Sequence, residues 1–165
     1  MAFSHLTFIC HLDFDIWILD PMGKRRKSRE LALQALYQLD VVGEDPESVV
    51  QLFWENFSPR EEVRAFFSSL IEGTWSNREE IDELIKRNSE NWKVERMALV
   101  DRNILRMAVF ELCYCPDIPY KVTLNEAIEM AKRFGSEDSG SFINGILDRI
   151  AKQNRKRGGR IGSGD

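Results

Sequence analysis

Histidine is almost missing from this chain. The two present, His5 and His11, fall within the first eleven residues, so the remainder has no imidazole for acid-base work or metal binding. Cysteine is scarce too. Cys10, Cys113 and Cys115 are an odd number without zinc-type spacing, so neither a disulfide framework nor a metal knuckle is indicated, and a reducing cytoplasm is the compartment that fits. No stretch of 18 apolar residues exists, and nothing in the sequence reads as a membrane span. A phosphate-binding glycine loop is absent as well: "GKRRKS" lacks the upstream glycine and the preceding strand that a Walker motif requires. After Pro21, strand-like alternation is nearly absent.

What the chain does have is charge and helical periodicity. With 165 residues, 43% hydrophobic and 30% charged, it is long enough for one core and has the balance of a soluble globular domain. The net charge is −4, which argues against a protein that coats nucleic acid over its whole surface. Its distribution is uneven. Lys24, Arg25, Arg26, Lys27 and Arg29 crowd one short segment, six more cations from Arg149 to Arg160 crowd the C-terminal end, and acidic residues fill the middle.

The first twenty-one residues, "MAFSHLTFICHLDFDIWILDP", are aromatic-rich but lack a basic n-region and are broken by Asp13, Asp15 and Asp20, so they do not read as an export signal. Met22 directly precedes the basic segment. The change in composition there marks it as a candidate translation start, with residues 1–21 an upstream artefact. The rival reading is a short strand or arm packing on the domain.

Helical spacing organises the rest. A first helix over about 25–42 carries Ala32, Leu33, Leu36 and Tyr37 behind its basic start and stops at Gly43. Asp45 followed by Pro46 marks the start of a second helix, "ESVVQLFWENF". Ser58, Pro59 and Glu61 form a capping box for a third. That helix is expected to run from about 59 to 89, bent at most, because Phe67, Ile71, Thr74, Ile81 and Ile85 hold one phase across Gly73. Another begins near Val94, with a break or short turn near its start. It presents Leu99, Ile104, Leu105, Ala108, Val109 and Leu112. "PDIP" is a turn no helix crosses undisturbed. "YKVTLNEAIEMAKRFG" is a helix closed by Gly135. Ser136 caps the last one, with Glu137 and Asp138 in its first turn and Phe142, Ile143, Ile146, Leu147 and Ile150 toward the core. The expectation is all-α, about six to seven helices in a domain spanning 22–151, with 152–165 a flexible basic tail.

Few constellations carry chemistry. The Cys-Tyr-Cys at 113–115 cannot fill a tetrahedral metal shell without imidazole, and it reads as small apolar thiols buried near a helix end. The many carboxylates read as solvated helix faces, Glu126 and Glu129 among them. No cofactor is indicated. The basic helix start is different, because cations there oppose the macrodipole by about 0.3–1 kcal/mol each when exposed. Structure alone gains nothing from placing them there. A polyanion reverses the sign, since each phosphate met by Lys or Arg releases condensed counterions and the free amides at the helix start donate hydrogen bonds. A solvated charged end is the plainer alternative. For Phe142, core packing competes with a role as a stacking platform for an unpaired base, worth about 1–3 kcal/mol.

Three stretches, "RRKSRELALQALYQLD", "VDRNILRMAVFEL" and "PYKVTLNEAIEMAKRFGSEDSGSFINGILD", together resemble the NusB family of bacterial transcription antitermination factors over nearly all of Met22 to Ala151. The resemblance implies an all-helical fold of two packed groups forming one domain. It also implies binding of single-stranded boxA RNA jointly with the ribosomal protein NusE, within an RNA polymerase antitermination complex that supports ribosomal RNA synthesis. Carried over by position, the RNA-contacting residues are Lys24, Arg25, Arg26, Lys27 and Arg29, with Asp138 and Phe142 of the last helix. Glu95 and Asp101 face NusE, less securely because "NSENWKVERM" diverges most from the family pattern. The residues before Met22 depart from it too. NusB-like domains also occur fused to RNA cytosine methyltransferases, but this chain has no room for a catalytic domain and no cofactor glycine motif, so no enzyme is expected. A helical protein–protein adaptor without RNA affinity of its own is the alternative.

Overall fold

The computed structural model describes residues 21–43, 45–56, 61–89 and 93–156. Among them are seven α-helices, one 3₁₀ turn and no strand. The helices are α1 (Pro21–Val42), α2 (Pro46–Asn56), α3 (Glu61–Ser76), α4 (Arg78–Asn88), α5 (Leu99–Tyr114), α6 (Tyr120–Phe134) and α7 (Ser139–Lys156), and the 3₁₀ turn is Val94–Arg96. None of the described helices is long and apolar enough to cross a membrane. Met22 stands in the first turn of α1, whereas residues 1–20, the expected cap at Ser58 and Pro59, and residues 157–165 lie outside the described residues. α7 continues to Lys156, so residues 152–156, expected in a flexible tail, are helical.

The helices form two groups that share one member. α1, α2 and α3 pack on one another, α4, α6 and α7 gather around α5, and α5 also touches α1 and α3. Being surrounded, α5 has no solvent face in its middle: every residue from Asn103 to Glu111 is buried. Its polar residues must then find partners inside the protein. Asp40, near the end of α1, accepts two hydrogen bonds from Arg102 at 2.9 and 2.7 Å and one from the Asn103 amide at 3.1 Å. Arg106 grips Asp82 of α4 with two bonds of 2.7 Å. Burial pushes the Asp40 carboxyl up, but the pull of Arg102 and Arg106 prevails and holds it below the ordinary aspartate value. The ionised form of Asp40 therefore contributes stability that is complete above its unfolded value near 3.9 and is lost as pH falls through its lower folded value.

Local signals explain most boundaries. Gly43 closes α1 in the left-handed conformation at φ 72°, its amide donating to Leu39 O at 3.0 Å. Asp45 Oδ2 receives the Ser48 amide at 3.2 Å and caps α2, with Pro46 in the first helical position. α2 is held to α3 by aromatic contact: the Phe67 ring lies 5.4 Å from Phe53 and 4.7 Å from Trp54, centroid to centroid.

The helix expected over 59–89 is two helices meeting at Asn77. The apolar phase is kept across the junction, since Phe67, Ile71, Thr74, Ile81 and Ile85 are all buried. The break has a local cause that apolar spacing does not reveal. The Asn77 side-chain amide donates to Gly73 O at 2.7 Å, competing with its own backbone N–H for that carbonyl. Gly73 has another purpose. A Cβ there would lie 2.1 Å from Cζ of Phe110, so the missing side chain is the socket for that ring and lets α3 and α5 approach.

The last helix also starts later than expected. Glu137 and Asp138 occupy the turn before α7 rather than its first turn. Ser139 Oγ accepts the Ser136 amide at 2.8 Å, and the Phe142 amide donates to Asp138 O at 3.1 Å. Ile143, Ile146, Leu147 and Ile150 face the core as expected, while Phe142 is half-buried against it.

Gly73→Ala should force the Phe110 ring out of its socket and cost about 1–3 kcal/mol, as overpacking does elsewhere. The expected readout is a fall of several degrees in Tm with the helical circular dichroism of the folded state unchanged.

Candidate nucleic-acid interface

The basic segment occupies the first turns of α1, and its position is fixed from below. Ser28, fully buried, shares its single hydroxyl proton between Val63 O at 3.1 Å and Lys24 O at 3.0 Å, which seats the start of α1 on the start of α3. One turn of helix then separates side chains of opposite fate. Lys24, Arg25 and Arg26 remain 32%, 50% and 47% exposed, whereas Arg29 is 4% exposed.

Each of these four has an acidic partner within the protein. Lys24 pairs with Glu62. Arg25 reaches Asp117, beyond the end of α5, at 3.1 Å, and its guanidinium lies 5.3 Å from the Phe66 ring centroid. Arg26 makes a two-pronged contact with Glu126 of α6 at 2.6 and 3.0 Å, bonds that hold its guanidinium above the ordinary arginine value against the opposing effect of partial burial. Arg29 makes another with Glu111 of α5 at 2.6 and 2.8 Å, and the Thr123 hydroxyl donates to the same carboxylate at 3.1 Å. Lys27 is half-buried on the same turns.

Two expectations change here. Structure does gain from the cations at this helix mouth, because their carboxylate partners, scattered along the chain from Glu62 to Glu126, are brought to them by folding. Arg29, expected on the basic surface, is buried: two of its guanidinium nitrogens hold Glu111 in the interior. Glu126 is likewise not a solvated surface residue, being 8% exposed. Glu129 does stand in solvent, beside Lys132.

Magnitudes separate the pairs. An exposed ion pair is worth about 0–1 kcal/mol, so Lys24 and Arg25 can exchange their carboxylates for phosphates at little cost. Breaking a buried pair by removing one partner costs about 3–5 kcal/mol. Lys24 and Arg25 are thus the exchangeable pairs, Arg29 the fixed one, and Arg26, bound to the nearly buried Glu126, stands between them.

The other expected RNA residues lie at the far end of α6. Asp138 is exposed in the turn after it, and Phe142 lies on the first turns of α7. Between the two ends runs a groove of about 230 Å³ along α1 and α6, where Arg133 pairs with Glu30 and Lys132 with Glu129. Of the residues expected to meet the protein partner, Glu95 is exposed on the 3₁₀ turn. Asp101 is not on the surface. It is 8% exposed, and its Oδ2 accepts the Ser139 hydroxyl at 2.9 Å, pinning the start of α7 to the start of α5. Sequence reasoning missed the roles of Glu111 and Glu126, although a lone glutamate inside the apolar run "RMAVFELCY" is a signal that a buried cation must answer it.

The two described thiols, Cys113 and Cys115, are not activated. Burial pushes the Cys113 thiol up, and it pushes Cys115 up to about 11 with help from Glu111 and Asp117, so neither is a thiolate at neutral pH. Among the described residues no group of histidine, cysteine, aspartate and glutamate is placed to hold a metal.

Arg29→Ala should lower unfolding stability by about 3–5 kcal/mol because Glu111 is left charged and buried. Lys24→Ala and Arg25→Ala should each change it by less than about 1 kcal/mol. Urea denaturation followed by circular dichroism measures both, and equal costs at the three positions would refute the division into exchangeable and fixed pairs.

The sequence and fold both have known counterparts. The NusB family model matches residues 26–152. The transcription antitermination protein NusB of Syntrophus aciditrophicus (strain SB) is 50% identical over 152 residues, covering 92% of this chain and 91% of that protein. Its counterpart in Geobacter sp. (strain M21) is 54% identical over 138 residues, 79% and 95% of the two chains. Among solved structures, T. maritima NusB aligns with a TM-score of 0.72 at 42% identity over 78% of this chain and 91% of that one. A crystal structure of the antitermination factors NusB and NusE in complex with dsRNA aligns with a TM-score of 0.73 at 26% identity, over 80% and 98%.

Proposed function

The chain belongs to the NusB family, and on that footing we propose that it is a transcription antitermination factor that binds single-stranded boxA RNA together with NusE. In this role it joins the RNA polymerase antitermination complex in the cytoplasm, supports ribosomal RNA transcription, and performs no catalysis of its own. Supporting this are relatives bearing the antitermination name at about half identity over most of their length and a solved structural neighbour in which NusB and NusE are in complex with dsRNA.

Supporting the reading is the row Lys24, Arg25 and Arg26 at the mouth of α1, open to solvent, with Lys24 and Arg25 held by exposed carboxylates that a phosphate can displace. Phosphates replace the carboxylates, releasing counterions from the RNA, while the bases are read elsewhere. The half-buried Phe142 offers a ring to an unstacked base and the exposed Asp138 a polar contact. Glu95 meets NusE directly. Asp101 acts beneath the surface, by holding Ser139 between the turn that carries Asp138 and the first turns of α7 that carry Phe142.

One observation favours the second reading, a protein–protein adaptor without RNA affinity: the basic row is already paired with the protein's own acids. Salt dependence separates the two. Labelled boxA RNA titrated with the protein should bind with steep salt dependence, better than a scrambled strand, and more tightly when NusE is present. Neutralising Arg25 and Arg26 together should weaken binding and reduce the log-log salt slope by about 0.7 for each phosphate no longer met by a cation. Unchanged affinity and slope in that double variant would leave the adaptor reading standing.

A further inference from the structure

Glu126 poses a question that RNA binding by itself does not answer. Its carboxylate is almost buried, yet the guanidinium that holds it belongs to Arg26, which is half exposed and assigned to RNA. Once Arg26 turns to a phosphate, Glu126 loses both of its short hydrogen bonds. A carboxylate left charged and unpaired in so dry a position would oppose RNA binding strongly.

The geometry points to a second seat for it. Arg29 engages Glu111 through Nε and Nη2, and its third nitrogen, Nη1, lies 3.8 Å from Glu126 Oε2. A shift of about 1 Å brings that contact to hydrogen-bond length. Arg26 and Arg29 lie three residues apart on one face of α1, with Glu126 between them and Glu111 beyond. Two arginines and two glutamates thus form a neutral set in which the outer member can leave while the remaining carboxylates stay paired to Arg29.

We propose that Glu126 is a positioning residue that occupies Arg26 in the free protein and passes to Arg29 when RNA takes Arg26. The inference rests on the RNA-binding reading and adds a regulatory step to it: the protein carries its own competitor for its RNA site, together with the place where that competitor goes. Arg29 thereby serves RNA binding without touching RNA.

The test uses the full chain with NusE and labelled single-stranded boxA RNA. Glu126→Gln removes the competing charge, so RNA affinity should rise roughly three- to tenfold. The magnitude of the salt slope should grow, because one more cation meets the strand unencumbered. In an Arg26→Ala background the same substitution should give no gain. Arg29→Lys keeps the charge but loses the fork, so it should weaken RNA binding, and adding Glu126→Gln should restore it, because a neutral amide needs no second seat. Thermal melts of each variant identify any that fail to fold, and Glu126→Gln, close in shape to the wild type, then decides alone. An unchanged or reduced affinity for Glu126→Gln, or a gain that persists without Arg26, overturns the proposal. If the wild-type protein with NusE shows no salt-dependent affinity for the RNA, the RNA reading itself has failed, which is a different result.

Discussion

Arg29 enters from α1 into the space between α5 and α6, where Glu111 takes it with two bonds and Thr123 adds a third to the same carboxylate. Two full charges that deep are tolerable only because each satisfies the other in good geometry. Hydrophobic contact alone would let α1 slide or rotate over α5, since apolar packing is not directional. The forked pair sets the rotation of α1 about its axis, and with it the direction in which the residues one turn earlier point. Arg25 and Arg26, one turn earlier on the same side of α1, lie at the rim of that space, where Asp117 and Glu126 meet them.

The same device recurs at the other end of α1. Asp40 is gripped by Arg102 and approached by Arg106, which in turn holds Asp82 of α4. α1 is therefore fixed to α5 by ionic clamps near both ends, with Leu31, Ala32, Ala35, Leu36 and Leu39 packed between them. α5 can be buried along its middle because its polar residues meet partners from α1, α4 and α6. This is the physical basis for two helix groups behaving as one domain: they share a helix whose charges are neutralised from both sides.

The basic mouth and the turn before α7 lie at opposite ends of α6, and packing fixes each in place. Ser139, held by Asp101, fixes the later site, and Ser28, bound to α3, fixes the earlier one. Neither hydroxyl is assigned to RNA. Both remove conformational freedom from the segments on which those residues stand.

The class of fold and most element boundaries were legible in the order of residues. Apolar spacing, the Asp45–Pro46 and Gly43 signals and the two prolines of "PDIP" act within a few residues of themselves, so a linear reading reaches them. The basic cluster was legible for the same reason, because charge density is a property of the chain. Which of those cations are free to be exchanged was settled by packing in three dimensions. Arg26 and Arg29 are three residues apart and alike in chemistry, but their partners lie far along the chain, Glu126 of α6 at a separation of 100 residues and Glu111 of α5 at 82. The same holds for Asp101, an acid in the first turn of α5 whose hydroxyl partner, Ser139, comes from the start of α7. Burial is a property of what packs against a residue, and those contacts are made by segments that no local pattern records.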